Sequence, residues 1–380
     1  MEDDFSVLPV VLVTVTGIYH YFYFRRIAAF AGIHTDKTGA KGVIALVSLI
    51  VTASAADVWG VWIVVVSYHM ALGLLTDFAD IVLRRGGRNG AVWRSVYGSG
   101  VISVALTVLV LFFGYQNMHS LVRTEYEIHT DKNIRERGYR ICLVSDLHYG
   151  RIVDAEELRA DCERISEENP DLLILCGDIV DENTTKEQMK EVFRIFSGIG
   201  TEDGIYYVYG NHDRGMYASS PSFTEEQLLE ELSACKITVL EDDAVEIRDE
   251  LVLIGRNDLT DPGRKGRADT EILLGEVNRD KFLILVDHQP RELEKNMKLG
   301  CDLQLSGHTH GGQIWPTGEI CELLGFGEMN YGHRQWGDSH VIVSSGMAGG
   351  EYPLRTGHHS EYVMIKVLPY MEQKQAGSYL

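Results

Sequence analysis

Three long apolar runs in the first 120 residues limit most strongly what this chain can fold into. The runs are Phe5 to Phe24, Gly42 to Leu83 with three aspartates inside it, and Val96 to Tyr115. A helix needs about 20 apolar residues to cross a bilayer, and the middle run has the length of two such helices. We therefore predict a helical membrane domain, residues 1–118, with spanning helices near residues 5–24, 42–56, 58–83 and 96–115.

The basic residues of this region predict its orientation. All eight Lys and Arg residues lie in two alternate loops, at positions 25, 26, 37 and 41 and at positions 84, 85, 88 and 94. Because cytoplasmic loops carry an excess of positive charge, a multi-pass protein of the cell membrane is expected, with everything after the fourth helix outside the cytoplasm. If the second helix does not span, the orientation reverses. A cleaved signal peptide is the alternative for residues 5–24, but acidic rather than basic residues precede that run.

The rest of the chain is strongly acidic. Residues 121–380 carry 27 Lys and Arg against 48 Asp and Glu. An acidic surface repels a phosphate backbone, so no nucleic-acid binding is expected, and a domain of this charge that handles phosphate would need metal cations. All six cysteines lie here without a CxxC pair, which argues against a thiolate zinc site and leaves disulfide formation open.

From residue 139 onward, short apolar runs alternate with amphipathic stretches. Runs such as ICLVS (141–145) and FLILV (282–286) are typical of buried strands, whereas residues 154–170, 184–200 and 224–235 have apolar side chains at helical spacing. This alternation predicts an α/β fold with helices on both faces of its strands, and the strand-rich second half suggests two stacked sheets. The expected divisions are a connector at 119–138, a soluble domain at 139–370 and a C-terminal tail at 371–380.

Polar side chains follow the ends of five predicted strands. They are Asp146 and His148, then Asp178, then Asn211 with His212 and Asp213, then His288, and finally His308 with His310. Ligands of open α/β sheets bind at the carboxyl ends of strands, so five loops would bring these side chains to one place. Each group alone is common, since a Gly-Asp pair after a strand is usually a turn. Their joint occurrence favours a metal site.

The residue types indicate which metals would bind. Carboxylates, imidazoles and one amide, without cysteine, suit Mn, Fe, Zn or Mg rather than a closed structural zinc site. The ligands are too many for one four-coordinate ion, but two divalent ions about 3.5–4 Å apart with one shared carboxylate would use them all. Such a pair lowers the pKa of a bridging water and holds the attacking and leaving oxygens of a phosphate ester. We favour Mn²⁺.

These motifs resemble those of the calcineurin-like metallophosphoesterases. The resemblance is carried by D-x-H at 146–148, GD-x-x-D at 177–181, GNHD at 210–213, His288 and GH-x-H at 307–310, within roughly residues 139–345. The string GHTHGGQ and the preceding membrane segment resemble the bacterial membrane-associated branch of the family. The resemblance implies a four-layer α/β/β/α sandwich with a dinuclear metal centre.

The resemblance also implies a role for each site residue. One ion would be held by Asp146, His148, Asp178 and His310, and the other by Asp178, Asn211, His288 and His308, with Asp178 as the bridge. His212 would contact a phosphate oxygen or protonate the leaving group, and Asp213 would orient it by a hydrogen bond. Arg151 follows the first motif, where it is either a phosphate contact or a solvated loop arginine.

The expected function is hydrolysis of a phosphodiester or pyrophosphate bond by metal-activated hydroxide at a membrane. A short connector would hold the site near the bilayer, so a lipid or a lipid-linked phosphate is the expected substrate, by geometry and by analogy with the family. Two alternatives remain: a membrane sensor or scaffold whose metal centre does not turn over, and a phosphatase acting on soluble nucleotides. The complete ligand set counts against the silent sensor.

Overall fold

The computed structural model of the chain describes residues 7–58, 60–260, 266–350 and 352–370. These residues form two compact units. The first contains the chain up to Gln116 and a short later segment that ends at Thr356, and the second contains the remainder. The predicted domain boundaries did not assign that later segment to the helical unit. The predicted tail at 371–380 and the first two residues of the first predicted helix lie outside the described residues.

Five helices precede the first strand. They are α1 (Val7–Phe30), α2 (Thr38–Ala53) with a 3₁₀ turn after it (Ser54–Ala56), α3 (Val61–Arg85), α4 (Ala91–Ser99) and α5 (Val101–Met118). Three segments are long and apolar enough to cross a membrane, namely Thr38–Ala56, Val61–Arg85 and Val101–Met118. They overlap the last three predicted spans, and the span at α1 stays a prediction. Helix α4 was not predicted, and Gly100 with a left-handed φ of 74° separates it from α5.

Polar side chains inside the helical unit bond to one another. Nε2 of His20 lies 3.0 Å from Nδ1 of His69, and the buried Asp80 forms a 2.6 Å ion pair with Arg84. The outer faces of these helices are apolar and expose large side chains, among them Val11, Ile18, Val47, Leu75 and Phe113. Apolar side chains outside and satisfied polar groups inside are what lipid surroundings require, so the distribution supports membrane association.

Two six-stranded mixed sheets form the second unit. The strands are β1 (Val122–Thr130), β2 (Tyr139–Val144), β3 (Leu172–Cys176), β4 (Ile205–Val208), β5 (Ile237–Val239), β6 (Asp243–Ile247), β7 (Leu251–Gly255), β8 (Phe282–Val286), β9 (Leu303–Ser306), β10 (Gly332–Trp336), β11 (Ser339–Val343) and β12 (Glu361–Pro369). Their order is β1-β12-β2-β3-β4-β5 in one sheet and β10-β11-β9-β8-β7-β6 in the other. Neighbours are parallel except for β12 with β2, β10 with β11 and β6 with β7.

Helices cover the outer face of each sheet. The helices are α6 (Ala155–Glu167), α7 (Lys186–Phe196), α8 (Glu225–Ala234), α9 (Thr270–Gly275) and α10 (Leu293–Lys298). A further helix, α11 (Thr317–Leu323), lies between β9 and β10 along the chain. One apolar core joins α6, α7 and α8 to the first sheet, a second lies between the sheets, and a third joins α9 and α10 to the second sheet. The predicted four-layer α/β/β/α fold is therefore confirmed.

Local sequence explains where the longer helices begin. The Asp154 side chain accepts hydrogen bonds from the first turn of α6, and Thr185 and Thr224 form capping boxes at the starts of α7 and α8. These contacts satisfy backbone N–H groups that have no partner within a helix. Strands β2, β3, β8 and β9 are buried almost throughout, as strands covered on both faces should be. All six cysteines are free thiols.

Candidate metal centre

The seven predicted ligands lie together at the carboxyl ends of parallel strands from both sheets. The first sheet supplies Asp146 and His148 after β2, Asp178 after β3 and Asn211 after β4, and the second supplies His288 after β8 and His308 and His310 after β9. Two groups have all their ligand atoms within 4.8 Å of one another, Asp146 with His148 and His310, and Asp178 with His288 and His308. The arrangement provides two adjacent places for a cation.

Asp178 lies between the two groups. Its Oδ2 atom is 3.0 Å from Nε2 of His288, in its own group, and 3.9 Å from Nε2 of His148, in the other. Asp146 also faces both sides, with Oδ1 3.7 Å from Nε2 of His310 and 4.0 Å from Nε2 of His288. Both carboxylates are buried, and each faces histidines of both groups.

Asn211 joins the second group through its side-chain oxygen. Oδ1 of Asn211 lies 2.8 Å from Nδ1 of His308. Two ligands bound at about 2.1 Å to one ion and at a right angle to each other are separated by about 3 Å, so this spacing fits neighbouring ligands of a single cation. Asn211 was predicted as a ligand of the same ion as His308.

The histidine rings are oriented by groups behind them. Nδ1 of His288 donates to the Cys176 carbonyl oxygen at 2.8 Å, and Nδ1 of His148 lies 3.4 Å from Asp181. Such contacts fix the ring and direct the other nitrogen toward a metal. Both ring nitrogens of His148 are buried without a hydrogen bond in the described part of the chain, and Nε2 is the one that faces Asp178. A buried nitrogen of this kind fits a divalent cation as its missing partner.

The buried charges of the site influence one another strongly. Burial alone would raise the pKa of Asp178, but the charges of His288 and His148 and the hydrogen bond from His288 hold it well below its usual range. Burial and the charge of His288 lower the pKa of His308 to about 4. Burial would also lower the pKa of His288, but the charge of Asp178 and its hydrogen bond raise it well above the ordinary value. Since metal ligands bind as carboxylates and neutral imidazoles, Asp178 and His308 are in their liganding forms at neutral pH, whereas a cation at His288 replaces a proton.

Three glycines in the motifs leave room for the ligands. A Cβ on Gly177 would lie 2.5 Å from Nδ1 of His288 and 2.7 Å from the Gly210 nitrogen. A Cβ on Gly210 or on Gly307 would overlap the carboxylate of Asp178 or of Asp146, respectively. In these three motifs, the glycine before the ligand is therefore required by the approach of a side chain from another loop.

Five of the seven predicted ligands have a left-handed backbone. Their φ angles are 52° at Asp146, 46° at His148, 53° at Asp178, 70° at His308 and 50° at His310. Non-glycine residues visit this region at a cost of order 1–3 kcal/mol each, and they hold it only when the surrounding structure enforces it. The strain is concentrated where the loops turn sharply to aim several side chains at one point.

The expectation that Asp213 orients His212 is wrong. The buried Asp213 carboxylate instead accepts hydrogen bonds from four backbone N–H groups, those of Asp178, Ile179, Val180 and Gly210. Because its oxygens are saturated by these donors, Asp213 ties the loop after β3 to the loop after β4. Its contribution is to the shape of the site.

Glu182 is the residue that contacts His212. Its carboxylate oxygens lie 3.0 and 3.1 Å from Nδ1 of His212. Burial alone would lower the pKa of His212, but the hydrogen bond to Glu182 and the charges of Asp178, Glu182 and Asp181 raise it to about 9. The His212 and His148 rings are 5.1 Å apart, which puts His212 beside the metal centre. Only the position of Glu182 in the loop after Asp178 could have indicated this contact from sequence.

Arg151 has a structural partner beside the site. Its Nε lies 2.8 Å from Oδ2 of Asp181, and Nη1 donates to the Gly350 carbonyl oxygen at 2.9 Å. Asp181 is buried and also stands behind His148, so Arg151 balances the charge of a carboxylate that supports a candidate ligand. A phosphate contact by Arg151 stays a prediction.

A further group of three acidic residues, and the aspartate next to His288, form ion pairs with arginines. Asp171, Glu202 and Asp203 lie close enough together to hold an ion, but Arg135 is 2.9 Å from Asp171 and 3.3 Å from Asp203. Asp287 precedes His288 in sequence, yet its side chain accepts a 2.9 Å hydrogen bond from Arg267. Both sets are ion-pair networks of the fold.

Comparison with known proteins gives concordant matches. The family model described as calcineurin-like phosphoesterase matches residues 139–312. An uncharacterized metallophosphoesterase of Aquifex aeolicus is 30% identical over 266 residues, covering 68% of this chain and 97% of that protein. The Escherichia coli protein named phosphodiesterase YaeI is 28% identical over 239 residues, covering 60% of this chain and 82% of that protein.

One relative, from an animal, has a name that mentions both a transmembrane protein and a metallophosphoesterase domain. The Danio rerio transmembrane protein with metallophosphoesterase domain is 25% identical over 278 residues, covering 70% of this chain. The match spans 62% of the length of that protein, and 63% of the length of a Helicobacter pylori metallophosphoesterase. This chain thus spans less than two thirds of some of its relatives.

Proposed function

The chain belongs to the calcineurin-like phosphoesterase family, and from that premise we propose that it hydrolyses phosphodiesters at a membrane with two divalent metal ions. Metal-dependent phosphoester hydrolysis is the activity of the family, whereas the bond type and the number and identity of the ions are the proposal. The observation that carries it is the position of Asp178, with one carboxylate oxygen facing both His148 and His288. A carboxylate shared in this way suits two ions about 3.5–4 Å apart.

The proposed ligand sets follow the two groups of side chains. Asp146, His148, Asp178 and His310 hold one ion, and Asp178, Asn211, His288 and His308 hold the other. When bound, the ions supply Lewis acidity and lower the pKa of a water ligand, and Mn²⁺ is the favoured metal. The left-handed loops hold the side chains ready, so little rearrangement is needed for loading.

His212 is the proposed proton donor or phosphate contact. Glu182 occupies Nδ1 of its ring, so Nε2 is the nitrogen that can donate to a phosphoryl oxygen or to the leaving oxygen. The negative charge of Glu182 keeps the imidazole protonated, which suits both roles. Asp213 contributes by holding the loop that carries His212, through the four backbone hydrogen bonds described above.

The proposed substrate is a phosphodiester of a lipid or of a lipid-linked molecule. Three residues separate the end of α5 at Met118 from the start of β1 at Val122, so the first strand begins at most about 14 Å from the end of that helix. A domain joined by so short a connector to a helix of membrane-spanning length meets lipid headgroups at high local concentration. The name of the E. coli relative supports a diester rather than a monoester.

The proposed location of the catalytic domain is extracytoplasmic, with four membrane passes. The support is the charge distribution, because all basic residues before residue 120 fall in the two loops that a four-pass topology puts on the same side. Leu229 is exposed on α8 and offers a direct test as Leu229→Cys in a chain carrying Cys321→Ser. A membrane-impermeant maleimide should label Leu229→Cys in intact cells, whereas labelling only after lysis would reverse the topology.

The decisive activity experiment uses ligand substitutions in the full chain purified in detergent. With Mn²⁺ and bis(p-nitrophenyl) phosphate, Asp178→Asn and His310→Ala should lose turnover by at least about a hundredfold while remaining folded. Metal analysis should find two ions per wild-type chain and fewer in both variants. Activity near the wild-type level in either variant would sink the proposal.

Two further variants separate the ligands from other histidines. His129→Ala is the matched control, because His129 is half-exposed on β1 and contacts Glu127 and the Tyr370 ring rather than any candidate ligand, so both activity and metal content should be unchanged. His212→Ala should lower turnover with both ions retained. A panel of lipid and nucleotide phosphoesters then decides the substrate: a protein that acts only on soluble nucleotides contradicts the lipid assignment, and one that acts on no ester supports the silent sensor.

A further inference from the structure

An exposed apolar segment directly follows the metal-binding loop of β9. Trp315, Ile320, Leu323, Leu324 and Phe326 are all exposed, Leu323 by 84%. Eleven large hydrophobic residues are exposed among the described residues of the second unit, and these five fall within twelve consecutive positions. Soluble surfaces rarely gather apolar side chains in this way, and such a patch usually marks a surface that another molecule or a membrane covers.

The helix in this segment packs closely on the metal-binding loop and has its apolar side facing outward. A Cβ on Gly312, two residues after His310, would lie 2.7 Å from the backbone of Gly318, so the start of α11 packs tightly on the metal-binding loop. Glu322 accepts a 2.8 Å hydrogen bond from Arg334 on β10, which turns the polar side of α11 toward the domain. Ile320, Leu323 and Leu324 are left on the outer side.

Charge and connectivity favour lipid as the occupant. Residues 121–380 carry 48 acidic against 27 basic side chains, so two copies of this domain repel each other. The same chain carries three helices long and apolar enough to cross a membrane, so the domain is tethered to the bilayer that these helices enter. Trp315 at the edge of an aliphatic patch is typical of a membrane interface, where the indole ring sits at the level of the headgroups.

We propose that residues 314–326 insert into the surface of the bilayer and bring the metal-binding loop of His308 and His310 to the lipid headgroups. Because α11 packs on that loop, a headgroup beside the inserted helix lies next to the metal centre. The inference deepens the proposed function and rests on it for the substrate class, but the insertion itself is independent of turnover. Since the domain is acidic, insertion requires no anionic lipid.

The location is tested with a fluorophore on the native Cys321. The full chain carries Cys235→Ala, which removes the other thiol that is not buried, and bimane is attached to Cys321. The labelled protein is reconstituted into phosphatidylcholine vesicles with or without doxyl-labelled lipid, which quenches bimane in the membrane. A helix lying about 5–10 Å deep in the interface should lose about half its fluorescence to the quencher. The control probe is on Leu229→Cys in α8, with Cys321→Ser, and should be unaffected. Absence of quenching at Cys321, or equal quenching at both positions, overturns the proposal.

Activity separates this inference from the proposed function. Leu323→Ser/Leu324→Ser should lower hydrolysis of a vesicle-embedded phosphodiester by about tenfold and leave hydrolysis of bis(p-nitrophenyl) phosphate unchanged. If the wild-type protein hydrolyses neither ester, the proposed function fails while the quenching result still decides the insertion. If it hydrolyses the soluble ester but Cys321 is not quenched, the inference alone fails. A shift from dimer to monomer in the serine variant, without lipid quenching, would assign the patch to a second copy of the chain.

Discussion

Gly177→Ala tests whether the close approach of loops at the metal centre is as tight as the structure indicates. Gly177 has a φ of +77°, and an added Cβ would lie 2.5 Å from Nδ1 of His288 and 2.7 Å from the Gly210 nitrogen. Neither neighbour can move freely, since His288 is fully buried and bonded to the Cys176 carbonyl oxygen. The substitution therefore changes backbone strain and packing together.

The magnitude follows from three contributions. Alanine in the left-handed region lowers the free energy of unfolding by about 1.5 kcal/mol. Alanine also reduces the conformational entropy of the unfolded chain, which raises the free energy of unfolding by about 0.7 kcal/mol. Overlap in a packed site adds about 2 kcal/mol, so the free energy of unfolding should fall by about 3 kcal/mol. For a unit of this size the midpoint of thermal unfolding should drop by about 6–12 °C.

Gly325→Ala is the matched control for the backbone contribution. Gly325 has nearly the same φ, +75°, but no atom lies within 4 Å of its added Cβ. We expect a loss of about 1 kcal/mol, or about 2–4 °C, from strain alone. The difference between the two variants thus isolates the overlap with His288 and Gly210.

The assay is near-ultraviolet circular dichroism of the full chain in detergent, heated first with a chelator and then with Mn²⁺. The chelated samples report packing alone, and the added stability with Mn²⁺ reports binding, because a ligand stabilises the state that binds it. Gly177→Ala should show both the lower midpoint and a smaller gain from the metal. Equal midpoints for the two alanine variants would refute the packing argument.

Three other substitutions probe groups around the site. Asp213→Ala leaves four backbone N–H groups without their acceptor. The free energy of unfolding should therefore fall by at least about 4 kcal/mol, and the midpoint of thermal unfolding by more than about 8 °C. A midpoint equal to that of the wild type would contradict these hydrogen bonds. Glu182→Ala should keep the fold and the metal content but reduce turnover, measured with the soluble diester, because the imidazole loses its orienting partner; unchanged turnover would remove that role. Glu361 lies outside the site and is buried; burial would raise its pKa, but hydrogen bonds from His359, Thr124, Ser345 and Tyr331 hold it below the ordinary value of 4.5. Its contribution is therefore present above pH 4.5 and lost as the pH falls further, so Glu361→Gln should be less stable than the wild type at pH 7, with the gap closing in acid; a gap that widens in acid would reverse the sign.

Strand periodicity and the polar residues after each strand were enough to predict where the ligands come from. Residues such as Asp146 and His308 lie 162 positions apart, yet both follow buried strands, and parallel strands deliver their carboxyl ends to one edge. The length of the apolar runs similarly indicated the helices at Thr38–Ala56, Val61–Arg85 and Val101–Met118. These features are local, because they depend on side-chain period and hydrophobicity along a short stretch of chain.

The partners of Asp213 and His212 could not be predicted in the same way. Asp213 is next to His212 in sequence, and adjacency suggested that one orients the other. The tertiary structure directs the Asp213 carboxylate into a ring of N–H groups and brings Glu182 to the imidazole instead. Which donor reaches an acceptor depends on how two loops fold over each other, and no spacing rule encodes it.

The sequence by itself determined the class of this protein: apolar runs of membrane length, alternating strands and helices, and candidate metal ligands placed after five strands. Only the tertiary structure decided the left-handed backbone at Asp146 and Asp178, the glycines with no space for a Cβ, and the exposure of the five large apolar side chains within residues 314–326. The physical reason is that propensity and hydrophobic period act between near neighbours. Strain, close approach and exposure depend instead on which distant segments come to lie against each residue.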